Sequence, residues 1–277
     1  MPGRHARLVL SEPQLTTGWE RDVPAEDTLL RRYLFHHASL GAAFTLAGGG
    51  RVLDADDLSM ADLARPGGYF NGAVLLCPPA DWDDLIARIE RFFRSGHGQT
   101  CLWSAWPTPD LRGRGWRLSG HPPLLARPPL STLPVTSAAV PEPDVRPVTS
   151  ADDLAGWERV AIDGYPLPEL HDAPAGAFAP PPLLDDERLR FFVGRDGDRP
   201  VAAAVSFASH GIASLAFGAT LPAARRRGFW RRLAVARLRA APDVWATGVF
   251  SDFSRPGAEA LGFVPILRLT LWILDRP

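Results

Sequence analysis

Twice along the chain an apolar run ends in proline and passes into a helical pattern. A second apolar run follows, then a short helix closed by glycine and a further apolar run. In the first occurrence the runs Phe70–Cys77, Thr100–Trp106 and Leu124–Leu130 read as strands. Between the first two, Asp81–Arg94 places Trp82, Leu85, Ile86, Ile89, Phe92 and Phe93 on one helical face. Asp110–Leu118 is the expected short helix. In the second occurrence the strands are Ile212–Leu221, Val244–Phe250 and Val264–Leu274, with helices over Arg227–Ala240 and Pro256–Leu261. Strands and helices that bury one face each must pack as layers, so the expectation is an α/β chain with mixed sheets, its two halves related by order and not by identities.

Each half begins differently. Leu29–Phe44 is helical in pattern. The later half opens with a strand, Val145–Val148, and a helix, Ala151–Ile162, for which Ser150 is a fitting cap. Strands Leu189–Gly194 and Pro200–Ser209 flank the turn residues Asp196-Gly197-Asp198. Between Ala126 and Pro147, six prolines remove donors and fix φ, which reads as a stiff linker. The boundary is expected near 140, giving domains 1–140 and 141–277. A second proline-rich stretch, Tyr165–Pro182, reads as a long functional loop.

Composition excludes several partners. The chain has 277 residues and a net charge of -1, so it lacks the basic excess that nucleic acid or anionic lipid would favour. All 30 basic residues are arginine, a pattern that codon bias in a high-GC genome accounts for. Cys77 and Cys101 have no metal-type spacing and are expected reduced, as small hydrophobes. No run approaches the roughly 20 apolar residues that span a bilayer. A cytoplasmic protein without a metal is expected.

The chemistry concentrates in Thr220-Leu-Pro-Ala-Ala-Arg-Arg-Arg-Gly-Phe-Trp-Arg231. A helix start leaves backbone N–H groups without partners and carries a partial positive charge. Gly228 would let an anion approach that backbone closely, and Arg225, Arg226 and Arg227 would add steering charge. An arginine run alone is more often a solvated helix face. Placed between strand and helix, it suits a pyrophosphate.

Pro222-x-x-Arg225-x-x-Gly228 in that setting resembles motif A of the GCN5-related N-acetyltransferases, the GNAT superfamily. Gly262-Phe263 before the last strand is similar to the family's closing segment. The resemblance covers residues 144–275 and is faint before them, as in tandem members with a degenerate first copy. It implies a GNAT-like fold in the C-terminal half and a degenerate GNAT-like N-terminal half. It also implies acetyl-CoA as the coenzyme A thioester, held by Gly218, Ala219, Thr220, Arg225, Arg226, Arg227, Gly228, Phe229, Trp230 and Arg231. The first copy's helix starts with Asp81, Asp83 and Asp84, which would repel a pyrophosphate, and Arg112-Gly-Arg-Gly115 is read as a decoy.

The sequence departs from the family at three points. Trp230 stands where a small residue is usual. The strand before motif A, Ile212–Ala219, has no glutamate, and Ala258 occupies the place of the usual tyrosine. Acid–base duty would then fall to Asp252, or to Tyr165 and His171 on the long loop, with Asp172 beside them. Each also reads as an ordinary turn or loop residue, as does His210 in its turn before Gly211, while His36 and His37 fall on the first-half helix, where at least one is expected packed or solvated. The leading expectation is N-acyl transfer to a small-molecule amine by direct attack in a ternary complex. Hydrolysis or decarboxylation on a repurposed fold, and non-catalytic ligand binding, are the alternatives. The acceptor is expected between the halves, under Tyr165–Pro182 and beside the strand that carries Trp103 and Trp106.

Overall fold

A computed structural model describes residues 18–19, 23–24, 27–65, 71–129, 143–165 and 167–276. The core of the linker and the boundary expected near 140 lie outside the described residues. In chain order the elements are α1 (Leu29–Ala47), β1 (Arg51–Asp54), β2 (Leu58–Asp62), β3 (Asn71–Leu75), α2 (Trp82–Phe93), β4 (Gln99–Ser104), β5 (Arg117–Gly120) and β6 (Pro123–Arg127). There follow β7 (Asp144–Pro147), α3 (Ala151–Gly164), β8 (Leu189–Asp196), β9 (Arg199–Ser209), β10 (Ile212–Thr220), α4 (Phe229–Ala240), β11 (Trp245–Val249), α5 (Arg255–Glu259), β12 (Val264–Arg268) and β13 (Thr270–Asp275).

Two mixed sheets form. One runs β1-β2-β3-β4-β13-β5 and the other β12-β6-β11-β10-β9-β8-β7. Their pairings match step for step. β3 and β4 are parallel, as are β10 and β11, and the crossover in each case is an amphipathic helix, α2 or α4. Each parallel pair is flanked by an antiparallel hairpin partner, β2 or β9. The duplication expected from element order is therefore present in the topology.

The last strand of each half crosses over. β6 enters the second sheet between β11 and β12, and β13 enters the first between β4 and β5. The sequence pattern read Val264–Leu274 as one strand. In the structure it bends at Leu269, which is buried and donates its N–H to the Pro122 carbonyl. Hydrophobicity is continuous through that bend, so it could not reveal it. One further expectation is corrected. The helix read over Asp110–Leu118 is a single 3-10 turn, Arg112–Arg114, followed by β5. The β1–β2 hairpin, rich in Asp, is an element the sequence pattern did not show.

The two halves share their interior. Tyr33 and Leu34 of α1 pack in one cluster with Leu124 of β6, Ile212 of β10 and Leu271 of β13. Leu40 and Phe44, further along α1, join Trp157, Phe178 and Phe191 in the largest cluster. Helix α1 thus lies between the sheets and belongs to both cores.

Candidate functional site

The pair β10–β11 opens like a fork. Ile212, Ala213 and Ser214 pair with Trp245, Ala246 and Thr247, and no pairing follows. Beyond Ser214, β10 stays with β9 while its other edge is left open. A bulge between Ala216 and Ala219 turns the strand, with Phe217 at φ 44°. A buried arginine holds this bulge. Arg237 of α4 donates to the Ala216 carbonyl at 3.1 Å and to Leu233 at 3.2 Å. It has no carboxylate partner among the described residues, and burial lowers its pKa to about 10, with Tyr165 pulling the other way. The sequence signal for this role is an arginine one turn after Leu233 on the buried face of the helix.

The fork leads to the start of α4. Gly228 is the N-cap at φ 84° and ψ -3°, with no side chain capping the first turn. That left-handed conformation is one glycine adopts freely and a branched residue does not. The amides of Phe229, Trp230 and Arg231 therefore begin a twelve-residue helix without an internal acceptor. Helix α2 is the contrast. Asp81 caps it and accepts from the amides of Asp83 and Asp84 at 2.8 and 3.2 Å. Its first turn is already satisfied by a carboxylate.

A cavity of about 1260 Å³ connects these features. It is lined by Arg225, Arg226, Gly228, Phe229, Trp230 and Arg231 at one end, by Ser214–Thr220 along the open strand, and by α1 and Trp103 at the other end. Gly218, Ala219 and Thr220 thus lie on it as the motif implied. Arg227 does not. It turns away to a two-pronged ion pair with Asp196, 2.7 Å on each arm, and covers the ring of Phe229. Trp230 leans toward α5, where its ring lies so near Gly257 that a Cβ there would fall 2.7 Å from it. The bulky side chain is accommodated by a glycine on the facing helix.

The acid–base candidates separate. Tyr165 lines the cavity and is 36% exposed. Burial pushes its hydroxyl up, against opposing pulls from Arg237 and the Gly218 backbone, so it is a proton donor at neutral pH. Asp252 sits at the exposed rim, paired with Arg268 at 3.3 Å. His171 is turned outward: it faces Arg159 at 3.2 Å and Asp163 at 3.4 Å, away from the cavity. Asp172 is exposed beside it and does not line the cavity either. Trp103 is on the cavity wall, whereas Trp106 is not.

The loop after α3 is held from within. Glu158 is 3% exposed, and its carboxylate accepts from the amides of Gly176 and Phe178 at 2.6 Å each and of Ala179 at 3.0 Å. Phe178 and Leu167 of this segment form part of the wall. Among the described residues no three His, Cys, Asp or Glu side chains are grouped as a metal would require, and both cysteines are free. No helix there is long and apolar enough to cross a membrane.

This arrangement has solved counterparts. A GCN5-related N-acetyltransferase from Kribbella flavida superposes with a TM-score of 0.58 at 20% identity, covering 87% of this chain and 96% of that one. The chain has the GNAT fold. A Novosphingobium aromaticivorans protein assigned to the GNAT family gives a TM-score of 0.58 at 16% identity, covering 91% of this chain and all of its own, 100%. A conserved protein of unknown function from Staphylococcus epidermidis gives 0.59 at 14%, covering 82% and 95%. No protein-family model matches the sequence, and no curated protein sequence matches it. In this GNAT fold the strand exchange places α1 of the first half opposite the fork of the second. Sequence reasoning gave His36 and His37 no role, yet both reach the cavity.

Proposed function

We propose that this protein is a coenzyme A thioester-dependent N-acyltransferase, with acetyl-CoA as donor and a small-molecule amine as acceptor. The observation that carries this reading is the continuous cavity joining an uncapped helix start, an unpaired strand edge and a chamber walled by the other half. The fit is chemical. A pyrophosphate suits the amides after Gly228 and the guanidinium groups of Arg225, Arg226 and Arg231. An extended arm with amide groups suits the open edge of β10, which offers backbone partners from Leu215 to Thr220. The thioester supplies an activated acyl group.

This chain's residues would then do the following. The amides around the β10 bulge, kept in place by Arg237, would face the acyl oxygen where negative charge develops. The amine nitrogen forms a bond to the acyl carbon as the carbon–sulfur bond breaks. One amine proton leaves to a neighbouring base or water, and the departing sulfur takes one. Tyr165, protonated and on the cavity wall, is the group we assign to the sulfur. Cytoplasmic location is part of the same reading, since the thioester is made and used there.

Calorimetry with coenzyme A, followed by thiol release from acetyl-CoA with and without an amine panel, tests the proposal. Binding plus amine-dependent release supports it. Release equally fast without amine favours hydrolysis, and binding without release favours a ligand-binding protein. Failure to bind coenzyme A rejects it.

A further inference from the structure

The far end of the cavity is aromatic and uncharged. Tyr33 stacks on His37 with ring centres 5.6 Å apart and planes 17° from parallel, and Trp103 meets the same imidazole edge-on at 5.1 Å. All three line the cavity, as do His36 and Ser214. Tyr33 Oη, His36 Nε2 and Ser214 Oγ are buried with no hydrogen-bond partner among the described residues. Tyr33 is 3% and His36 1% exposed. Buried polar atoms in native proteins are almost always satisfied, so three orphans around one chamber call for an occupant that supplies the missing partners.

The distribution of charge limits what that occupant is. Among the described residues, every cavity-lining residue with a fixed charge belongs to the second half: Arg225, Arg226, Arg231, Arg237, Asp252 and Arg268. The single carboxylate among them, Asp252, is at the exposed rim and bound to Arg268. No carboxylate faces the α1 end among the described lining residues. Burial lowers His36 to about 3 and His37 to about 4, so both imidazoles are neutral at pH 7 and each offers a lone pair. An ammonium group leaves water only for an anion or several acceptors. A neutral amine suits this chamber, because it donates N–H to imidazole and accepts from a phenol or hydroxyl.

We propose that the chamber bounded by Tyr33, His36, His37, Trp103 and Ser214 is the acceptor subsite, and that it selects a small amine on an aromatic or aliphatic body, bound neutral, against polyamines and aminosugars. That the occupant is an amine rests on the acyltransferase reading. Its shape and uncharged character rest on the chamber itself.

The experiment is a calorimetric titration of phenylethylamine and of spermidine, each with and without saturating coenzyme A, together with thiol release from acetyl-CoA. Phenylethylamine should bind at least tenfold tighter than spermidine. Tyr33→Leu and His37→Leu should each weaken phenylethylamine at least tenfold while coenzyme A affinity changes less than twofold. Tyr33→Phe keeps the packing and removes only the hydroxyl; if the leucine variants unfold, it carries the test, with a threefold or greater loss expected. Spermidine binding as tightly as phenylethylamine, or unchanged phenylethylamine affinity in the variants, overturns the inference. Absent coenzyme A binding rejects only the acyltransferase reading, because the titrations without coenzyme A still read the chamber.

Discussion

Gly228 and Glu158 each meet a demand that few residue types meet as well. Gly228 sits at φ 84° with ordinary van der Waals room around it, the nearest contact for an added Cβ being 3.5 Å from Pro143. Conformation, more than space, disfavours other residues there. We expect Gly228→Val to weaken coenzyme A at least tenfold by calorimetry, with a stability loss of about 1–2 kcal/mol. Equal affinity in the variant would place the pyrophosphate elsewhere. Glu158 is different in kind, a buried carboxylate that satisfies three loop amides at once. Glu158→Ala leaves three orphan donors and should cost roughly 3 kcal/mol or more in urea unfolding. Amide exchange should quicken at Gly176, Phe178 and Ala179 first, and unchanged exchange there would contradict the assignment.

Helix α1 is the element whose role extends furthest beyond its own half, and it makes the fold acid-sensitive. His36 is sealed against Phe207 and bonded to Ser209 Oγ at 2.8 Å, while His37 lies between Tyr33 and Trp103. Burial is the main cause of the lowered His36 value, His37 and His210 lower it further, and no carboxylate among the described residues opposes them. With folded values near 3 and 4, the unfolded chain binds protons first as pH falls below about 6.5. Stability is therefore complete above about pH 6.5 and declines toward pH 4, by up to about 1.4 kcal/mol per pH unit for each histidine. Urea midpoints at pH 7, 5.5 and 4.5 measure the slope, and a His36→Asn/His37→Asn double variant should flatten it. An unchanged slope would move the acid sensitivity elsewhere. What was legible in the sequence follows from the same physics. Helix α2 announced itself through one apolar face, and motif A through glycine placed where a helix begins. Arg227 looked identical to its neighbours because its partner, Asp196, lies far off in sequence at the end of β8. His171 was drawn toward the site by its loop, yet Arg159 and Asp163 of α3 hold it outside. His37 gave no signal, since nothing local says that a first-half helix will wall a second-half cavity.

At the scale of the whole molecule, each sheet is completed by the other half's last strand. Removing residues 270–277 deletes β13, so the prediction is damage far away in sequence: β4 and β5 lose their shared partner. The truncated chain should lose cooperative unfolding, with tryptophan fluorescence and far-UV dichroism no longer changing together. Coincident, unshifted transitions would mean the first sheet stands alone. The same exchange bears on how the protein is born. Ser104 pairs with Thr270, and Gln99 with Asp275. A ribosome making this chain leaves that edge of β4 exposed until β13, distant in sequence, has also been made. Contacts this distant in sequence also slow the search for the native state. The nascent first half must therefore wait, with an unpaired edge that invites aggregation. This predicts a dependence on chaperones during translation that a pair of self-contained domains would not have.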